Sequence, residues 1–404
     1  MTPQPQTGPG LRVGVTRETF PGDRRVALVP ASVRDLNGIG LGVLVETGAG
    51  EAAGFPDAAY EERGAEIRAS RDAVIAEADV VAQVRTVGAN PEAGRPDLER
   101  FRADQVVIGL ADPLGHPPLA AEIAARGVVL LALELLPRIT RAQAMDALSS
   151  MATVAGYKAV LLAADALPRM FPMLMTAAGT VTPARVLVIG AGVAGLQAIA
   201  TARRLGAVVR AYDIRPAVKE EVESLGAAFI EADLEVADAE DAGGYATARD
   251  EAFHRRQQAA LARAVAASDV VITTAAVPGR RAPVLVSREM LAPMPPGSVV
   301  VDLAAEQGGN CEATVPGETA QVGGVAVIGP VNVAAMVPYH ASQMFAKNVT
   351  NLLTHLMTDG AFRFDRDDEI TAGVLVTRGG EVVHPRVREA LDLPPLPDRD
   401  EGDG

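Results

Sequence analysis

The stretch Val186-Leu187-Val188-Ile189, followed at once by Gly190-Ala191-Gly192-Val193-Ala194-Gly195, constrains this chain more than any other. A short apolar run stops at a G-x-G-x-x-G turn, and a helical pattern from Leu196 to Leu205 follows. A second apolar run, Ala207 to Tyr212, then delivers Asp213. Strand, glycine turn, helix, strand and acid in this order specify a parallel βαβ unit. The first glycine permits the tight turn, the second lets a pyrophosphate approach the backbone, and the third lets helix and strand pack closely. The helix start offers free N–H groups and a positive dipole end to phosphate. Gly190, Gly192, Val193 and Gly195 are therefore candidate dinucleotide contacts. Asp213 is placed to bind both ribose hydroxyls and to repel a 2′-phosphate, so the expected ligand is NAD(H), not NADP(H).

The rest of the chain repeats this alternation. Arg12–Val15, Gly42–Glu46, Val80–Val84, Val106–Leu110 and Val128–Ala132 read as strands. Pro30–Leu36, Asp57–Arg63, Arg71–Ala76 and Pro117–Ala125 between them read as helices. Past the glycine turn, Phe229-Ile230, Val270–Thr273, Val299–Asp302 and Val325–Ile328 read as strands. Strands separated by helices imply parallel sheets with helices on both faces. The fold expected is α/β, with two Rossmann-like doubly wound parallel-sheet domains joined by long helices. Its parts are a disordered leader (1–10), an N-terminal α/β domain (11–139 plus 341–392), a dinucleotide-binding domain (140–340) and a disordered Pro-rich acidic tail (393–404).

Composition decides the partner class. A net charge of −14 over 404 residues offers no basic face to nucleic acid. A single cysteine, Cys311, excludes an internal disulfide and reads as a structural turn residue in a reducing compartment. The N-terminus lacks a basic n-region and an apolar core, so no signal peptide is expected. Thr319 to Ala346 carries no Asp, Glu, Lys or Arg, yet Gly323, Gly324, Gly329, Pro330 and Pro338 interrupt it. It reads as a buried strand, a loop and a helix from about Pro338, so no transmembrane segment is expected. His254, His340, His355 and His384 lack metal-ligand spacing, and no metal is expected.

A second constellation lies in Pro137–Ser150. Thr140 reads as the start of a long helix running to about Ala166, with Thr140 and Gln143 as a capping box. Gln143, Asp146 and Ser149 would then share a face, with Arg138 in the preceding loop. An amide can read a carboxamide, a carboxylate can accept its NH₂, and Arg can clamp a phosphate or pair with Asp146. The same residues equally describe a plain capped helix with an Arg–Asp surface pair. Downstream, Glu231 to Asp241 form an acidic run ahead of Gly243-Gly244-Tyr245. Such a polar run cannot pack into a core, so it reads either as an ordinary solvated loop or as a hinged loop presenting Tyr245 to a ligand.

The run Arg138–Asp146 with Ala155-Gly156-Tyr157, the Gly243–Ala246 stretch, Thr273-Thr274-Ala275 with Pro278-Gly279, Val301–Ala304 and Gly308–Cys311 resemble one family in its own order. That family is the NAD(H)-binding component (domain I) of proton-translocating NAD(P) transhydrogenase, within the alanine dehydrogenase/transhydrogenase family. The resemblance spans roughly Leu11 to Pro385. It implies that Arg138, Ile139, Thr140, Gln143, Ala144, Met145 and Asp146 contact the nucleotide, with Ser149 completing the set. It places Asp213, Ile214 and Arg215 at the adenosine ribose. It puts Gly244, Tyr245 and Gln257 on or beside a mobile loop, and Ala276 at a further contact. Arg138, Gln143, Asp146, Ser149 and Tyr245 are the residues expected to position the reacting ring. The resemblance further implies direct Si-specific/Re-specific hydride transfer from NADH held here to NADP⁺ on a beta subunit. It implies a small membrane alpha subunit, a homodimer, and a location on the cytoplasmic face of the inner membrane, held there by partners.

Alanine dehydrogenase resembles the chain almost as widely. That enzyme uses a first-domain Lys for its substrate carboxylate and a His as acid/base. None of Lys158, Lys219 and Lys347 is expected in the first domain. Arg85 falls near the expected Lys, Asp112 near the expected His, and Glu306 stands where that enzyme uses Asp. His116 reads as a solvent-facing loop residue. A non-catalytic NAD-binding module is the third possibility, since a nucleotide site looks alike in either case.

Overall fold

The computed structural model describes residues 10–230, 257–276 and 281–396. The chain divides into two units, residues 1–151 with 334–404 and residues 152–333. The boundaries therefore fall at Met151/Ala152 and Val333/Ala334, where the sequence pattern puts them at 139/140 and 340/341.

In the first unit, β1 (Arg12–Val15), β2 (Gly42–Glu46), β3 (Glu66–Arg68), β4 (Val80–Arg85), β5 (Val106–Leu110) and β6 (Val129–Ala132) alternate with helices. All pair in parallel. Their Val-rich runs suit strands covered on both faces. Pro30, Pro117, Pro338 and Pro385 each open a helix, where the missing N–H is no loss and φ is already helical.

The second unit begins its strands with an antiparallel hairpin, β7 (Leu174–Thr176) and β8 (Gly179–Val181). Its main sheet contains β9 (Arg185–Ile189), β10 (Val208–Tyr212), β11 (Ala228–Phe229), β12 (Val270–Thr273), β13 (Val299–Asp302), β14 (Thr319–Val322) and β15 (Val325–Ile328). The order is β11-β10-β9-β12-β13-β15-β14. The chain runs outward from β9 through β10 and β11, then returns to the other side of β9 as β12. Alternate residues feed two separate cores. Val186, Val188, Val270, Ile272, Val299 and Val301 enter one, and Leu187, Ile189, Val271 and Val300 the other.

The chain then re-enters the first unit through a helix, Pro338–Leu356, which buries Phe345, Val349, Leu352 and Leu353. A short hairpin, β16 (Met357–Thr358) with β17 (Ala361–Phe362), precedes β18 (Leu375–Arg378) and β19 (Glu381–Val382). These complete the first sheet in the order β19-β18-β6-β5-β4-β1-β2-β3. Both sheets are doubly wound as expected, and each carries an antiparallel edge that lies outside the expected strand–helix alternation: β14 in one, β18 and β19 in the other.

The expected helix from Thr140 is corrected. Thr140–Met145 is a 3₁₀ segment whose flanking Ile139 makes no side-chain cap, and the α-helix runs Ala147–Ala166. Asp146, with ψ 91°, interrupts the two. Its carboxylate accepts the backbone N–H of Ser149 at 2.9 Å, and its carbonyl accepts that of Ser150. An Asp at this position starts a helix of its own, and that cap displaces the Thr140–Gln143 box. Among the described residues Ala147–Ala166 is the one helix long and apolar enough to cross a membrane by length and composition. It sends Ala159, Val160 and Ala163 into a buried core, and core helices pass the same test.

Candidate functional site

The glycine turn sits at the carboxyl end of β9, between the ends of β10 and β12, where the winding direction of the sheet reverses. Its three glycines are glycine for different reasons. Gly190 adopts φ +96°, and a Cβ there would lie 2.6 Å from Thr274 Oγ1. A Cβ on Gly195 would lie 1.8 Å from the carbonyl oxygen of Gly190, so helix and strand could not pack. Gly192 differs from both. Its φ of −82° suits any residue, and a Cβ would meet nothing within 4 Å. Neither backbone conformation nor protein packing requires glycine there. What its missing side chain leaves open is the exposed approach to the first amides of the Val193–Arg204 helix. Helix-start N–H groups of this kind are natural donors to a phosphate. Val193 stands 43% exposed at the same place.

Asp213 follows β10, as expected. Its carboxylate accepts the Ala191 N–H at 2.7 Å and is held by both Nε and a terminal nitrogen of Arg215 at 2.9 Å each. Burial pushes its pKa up, but Arg215 and two backbone amides outweigh this and leave it below the usual carboxylate value. The acid is thus ionised and oriented by the glycine turn it serves. Ile214 beside it is exposed.

A hydroxyl brace steadies the turn from the β12 side. Thr274 donates from Oγ1 to the Gly190 carbonyl at 3.0 Å. Ala275 is fixed in turn by the Asn310 amide, which accepts its N–H at 2.9 Å and donates to its carbonyl at 2.8 Å. Beneath them Asp302, fully buried, accepts five hydrogen bonds: from the Thr273 and Thr314 hydroxyls and the Ala304, Asn310 and Cys311 amides. In the sequence these residues carry only a family resemblance and no role of their own. Their signal was visible as polar side chains closing apolar strands. Cys311 is buried, and burial raises its thiol pKa, in keeping with a structural residue. Ala276 is exposed, and Gln257 is half-buried in a helical stretch over residues 257–266. Gly244 and Tyr245 lie outside the described residues.

In the first unit the structure gathers the 138–149 set along one short segment. Arg138, Thr140, Gln143 and Ala144 are exposed, Ile139, Asp146 and Ser149 half-buried, and Met145 buried. Gln143, Asp146 and Ser149 do not continue one helical row, because Asp146 separates the 3₁₀ turn from the α-helix. The Ser149 hydroxyl instead donates to the Asp146 carboxylate at 2.5 Å. The Arg138 guanidinium forms no ion pair with Asp146 among the described residues. The plain surface-pair reading of this segment therefore loses its pair.

Elsewhere in this unit the groups near the alanine dehydrogenase positions are committed to structure. Arg85 lies 4.1 Å over the Phe20 ring and 3.8 Å from Asp23. Asp23 is also chelated by Arg25, and both side chains are shut from solvent. Asp112 faces His116 at 3.2 Å. Lys347 belongs to this unit, as the expected 341–392 segment requires and against the expectation that no lysine lies in the first domain, because its helix returns there. It pairs at the surface with Asp35 at 3.0 Å.

The family models described as "Alanine dehydrogenase/PNT, N-terminal domain" and "Alanine dehydrogenase/PNT, C-terminal domain" match residues 14–155 and 159–385. The first of the pieces that make up NAD(P) transhydrogenase subunit alpha in Rhodospirillum rubrum is 45% identical over 378 residues, 93% of this chain and 98% of that protein. The crystal structure of transhydrogenase from Sinorhizobium meliloti superposes with a TM-score of 0.83 at 45% identity, covering 92% of this chain and all of that one. "Alanine dehydrogenase" of Halomonas elongata is 31% identical over 391 residues, 95% of this chain and 97% of that protein.

Proposed function

The chain belongs to the alanine dehydrogenase/PNT family, and from that membership we propose that it is the NAD(H)-binding alpha component of a proton-translocating NAD(P) transhydrogenase. One observation carries the dinucleotide reading. Gly192 is a glycine that neither its φ nor its packing demands, at the mouth of a helix start whose other two glycines are both sterically required. The choice within the family rests on identity, 45% to a transhydrogenase subunit against 31% to an alanine dehydrogenase. The commitment of Arg85 and Asp23 to each other agrees with that choice.

When bound, the nicotinamide supplies the hydride, which passes directly to NADP⁺ on a beta subunit in a Si-specific/Re-specific transfer. The chain's own residues bind and orient. Gly190, Gly192, Val193 and Gly195 admit the pyrophosphate to the helix start. Asp213 takes the adenosine ribose hydroxyls and excludes a 2′-phosphate, while Ile214 offers an apolar face and Arg215 orients the acid. Arg138, Ile139, Thr140, Gln143, Ala144, Met145, Asp146 and Ser149 hold the nicotinamide end. Gln257 and Ala276 add further contacts to the nucleotide, and the family resemblance assigns Gly244 and Tyr245 to the same ligand. No side chain needs to move a proton, so their contribution is alignment. The partners are the beta subunit, a small membrane alpha subunit and a second copy of this chain, on the cytoplasmic face of the inner membrane.

The test mixes purified chain with a beta-subunit NADP(H)-binding domain. NADH should reduce an NADP⁺ analogue in the mixture and not with either component alone. Deamination of alanine by the isolated chain would overturn the reading. NADH binding without transfer in the mixture would leave a nucleotide-binding module in its place.

A further inference from the structure

The segment carrying Gln143 and Asp146 is held from behind by the Pro338–Leu356 helix. A 3₁₀ turn leaves its last carbonyls without partners inside the turn. Here the Gln143 carbonyl is met by the Asp146 N–H at 3.3 Å, whereas the Ala144 carbonyl is met by side chains. Asn348 Nδ2 donates to it at 3.0 Å and Asn351 Nδ2 at 2.8 Å. The two asparagines are three apart on one helix face, so a single carbonyl is gripped from two directions. Ala142 and Met145 are buried on the inner side, while Thr140, Gln143 and Ala144 present their side chains outward. A third attachment joins Arg141 to Asp368 at 3.5 Å, and Asp368 is itself held by His355 at 2.8 Å from the same helix.

Stability alone does not account for Asn348. The residue is 5% exposed, and its Oδ1 finds no protein partner among the described residues. A buried acceptor left unpaired is a standing penalty, and an apolar side chain of similar shape would avoid it. What that side chain could not do is donate to Ala144. We propose that Asn348 and Asn351 are positioning residues: through the Ala144 carbonyl they set the orientation in which Gln143 and Asp146 meet the nicotinamide end of the nucleotide. This rests on the functional reading above. It predicts that the clamp acts on transfer more than on affinity, because the pyrophosphate and ribose contacts lie in other segments.

The experiment uses the full-length chain with Asn351→Ala, at the exposed rim, and Asn351→Asp, which keeps the shape but cannot donate. Asn348→Asp is a third, more severe variant. Melting temperature, NADH affinity from the nucleotide's own fluorescence, amide hydrogen exchange over residues 140–146 without ligand, and transfer with the beta-subunit domain are measured. The Asn351 variants should melt within a few degrees of the parent and exchange at least tenfold faster over 140–146. They should lose less than about threefold in NADH affinity and at least tenfold in kcat. Unchanged exchange and kcat in a parent-like fold would overturn the inference while leaving the functional reading intact. Loss of kcat only in step with lost melting temperature and affinity would also overturn it, as a merely structural contact behaves so. A parent chain that fails to bind NADH would overturn both.

Discussion

Replacing Gly192 with alanine separates ligand from fold more cleanly than any other change in the glycine turn. In the ligand-free protein the new methyl meets nothing within 4 Å, at a φ of −82° that alanine adopts freely. Fewer unfolded conformations favour the variant by about 0.4–1 kcal/mol. Gly192 is also the residue preceding the Val193–Arg204 helix, and alanine is a poorer cap than glycine there by a few tenths to about 1 kcal/mol. The two nearly cancel, so the melting temperature should stay within about 4 °C. Bound pyrophosphate has no such freedom. A methyl in its path displaces it from the helix-start amides, and two charge-assisted hydrogen bonds at about 1.5 kcal/mol each amount to roughly 100-fold in affinity. The chain has no tryptophan, so nucleotide fluorescence reads binding without protein background. Gly195→Ala is the contrasting control. Its Cβ would sit 1.8 Å from the Gly190 carbonyl oxygen, and the fold itself should give way. An unaltered NADH affinity in Gly192→Ala would refute the assignment of the turn.

Two further outcomes follow from the surroundings of single carboxylates. Asp213→Asn should weaken NADH binding and lower the preference over NADPH at least tenfold, because Arg215, released from its carboxylate, becomes free to take a 2′-phosphate; an unchanged ratio in competition binding would remove Asp213 from the ribose. Glu134 has one oxygen on the Ala111 and Asp112 amides and an inaccessible Oε2 without a partner among the described residues, and burial pushes its pKa up to about 7. Folded protein therefore keeps a proton that unfolded chain releases above about 4.5, and stability declines as pH rises from 4.5 to 7. Glu134→Gln should remove that decline, gaining up to about 3 kcal/mol on the parent between pH 5 and pH 8 in urea unfolding; parallel curves for the two proteins would show that Glu134 is not its source.

Much of the second unit was legible because its constraints are local. Three glycines, an apolar strand on either side and an acid after the second strand each bear on the same turn. The helix start near residue 140 was harder, since two cap signals compete within six positions. Thr140 with Gln143 forms one, and Asp146 with the Ser149 amide forms the other. Periodicity runs through both and cannot rank them, whereas the ψ of 91° at Asp146 decides for the second. The β18–β19 hairpin did leave a signal: Gly379 and Gly380 both take positive φ, as a two-residue turn of this hand requires. The strand Glu381–Val382 is too short to show alternation. The β7–β8 hairpin left less, since Met173, Met175 and Val181 are exposed rather than divided between two faces. The grip of Asn348 and Asn351 on Ala144 joins residues some 200 positions apart and has no trace in local pattern.

Asp302 has a consequence for how such a chain can change over generations. One carboxylate answers to donors from the β12 terminus, from the residues just past β13, from the Gly309–Cys311 bend and from Thr314. None of these segments can be exchanged alone without stranding the acid or a donor that faces it. They form an inherited set, and a chimera that imports one block from a distant relative should lose cooperative unfolding of residues 152–333 even where that block is tolerated at home.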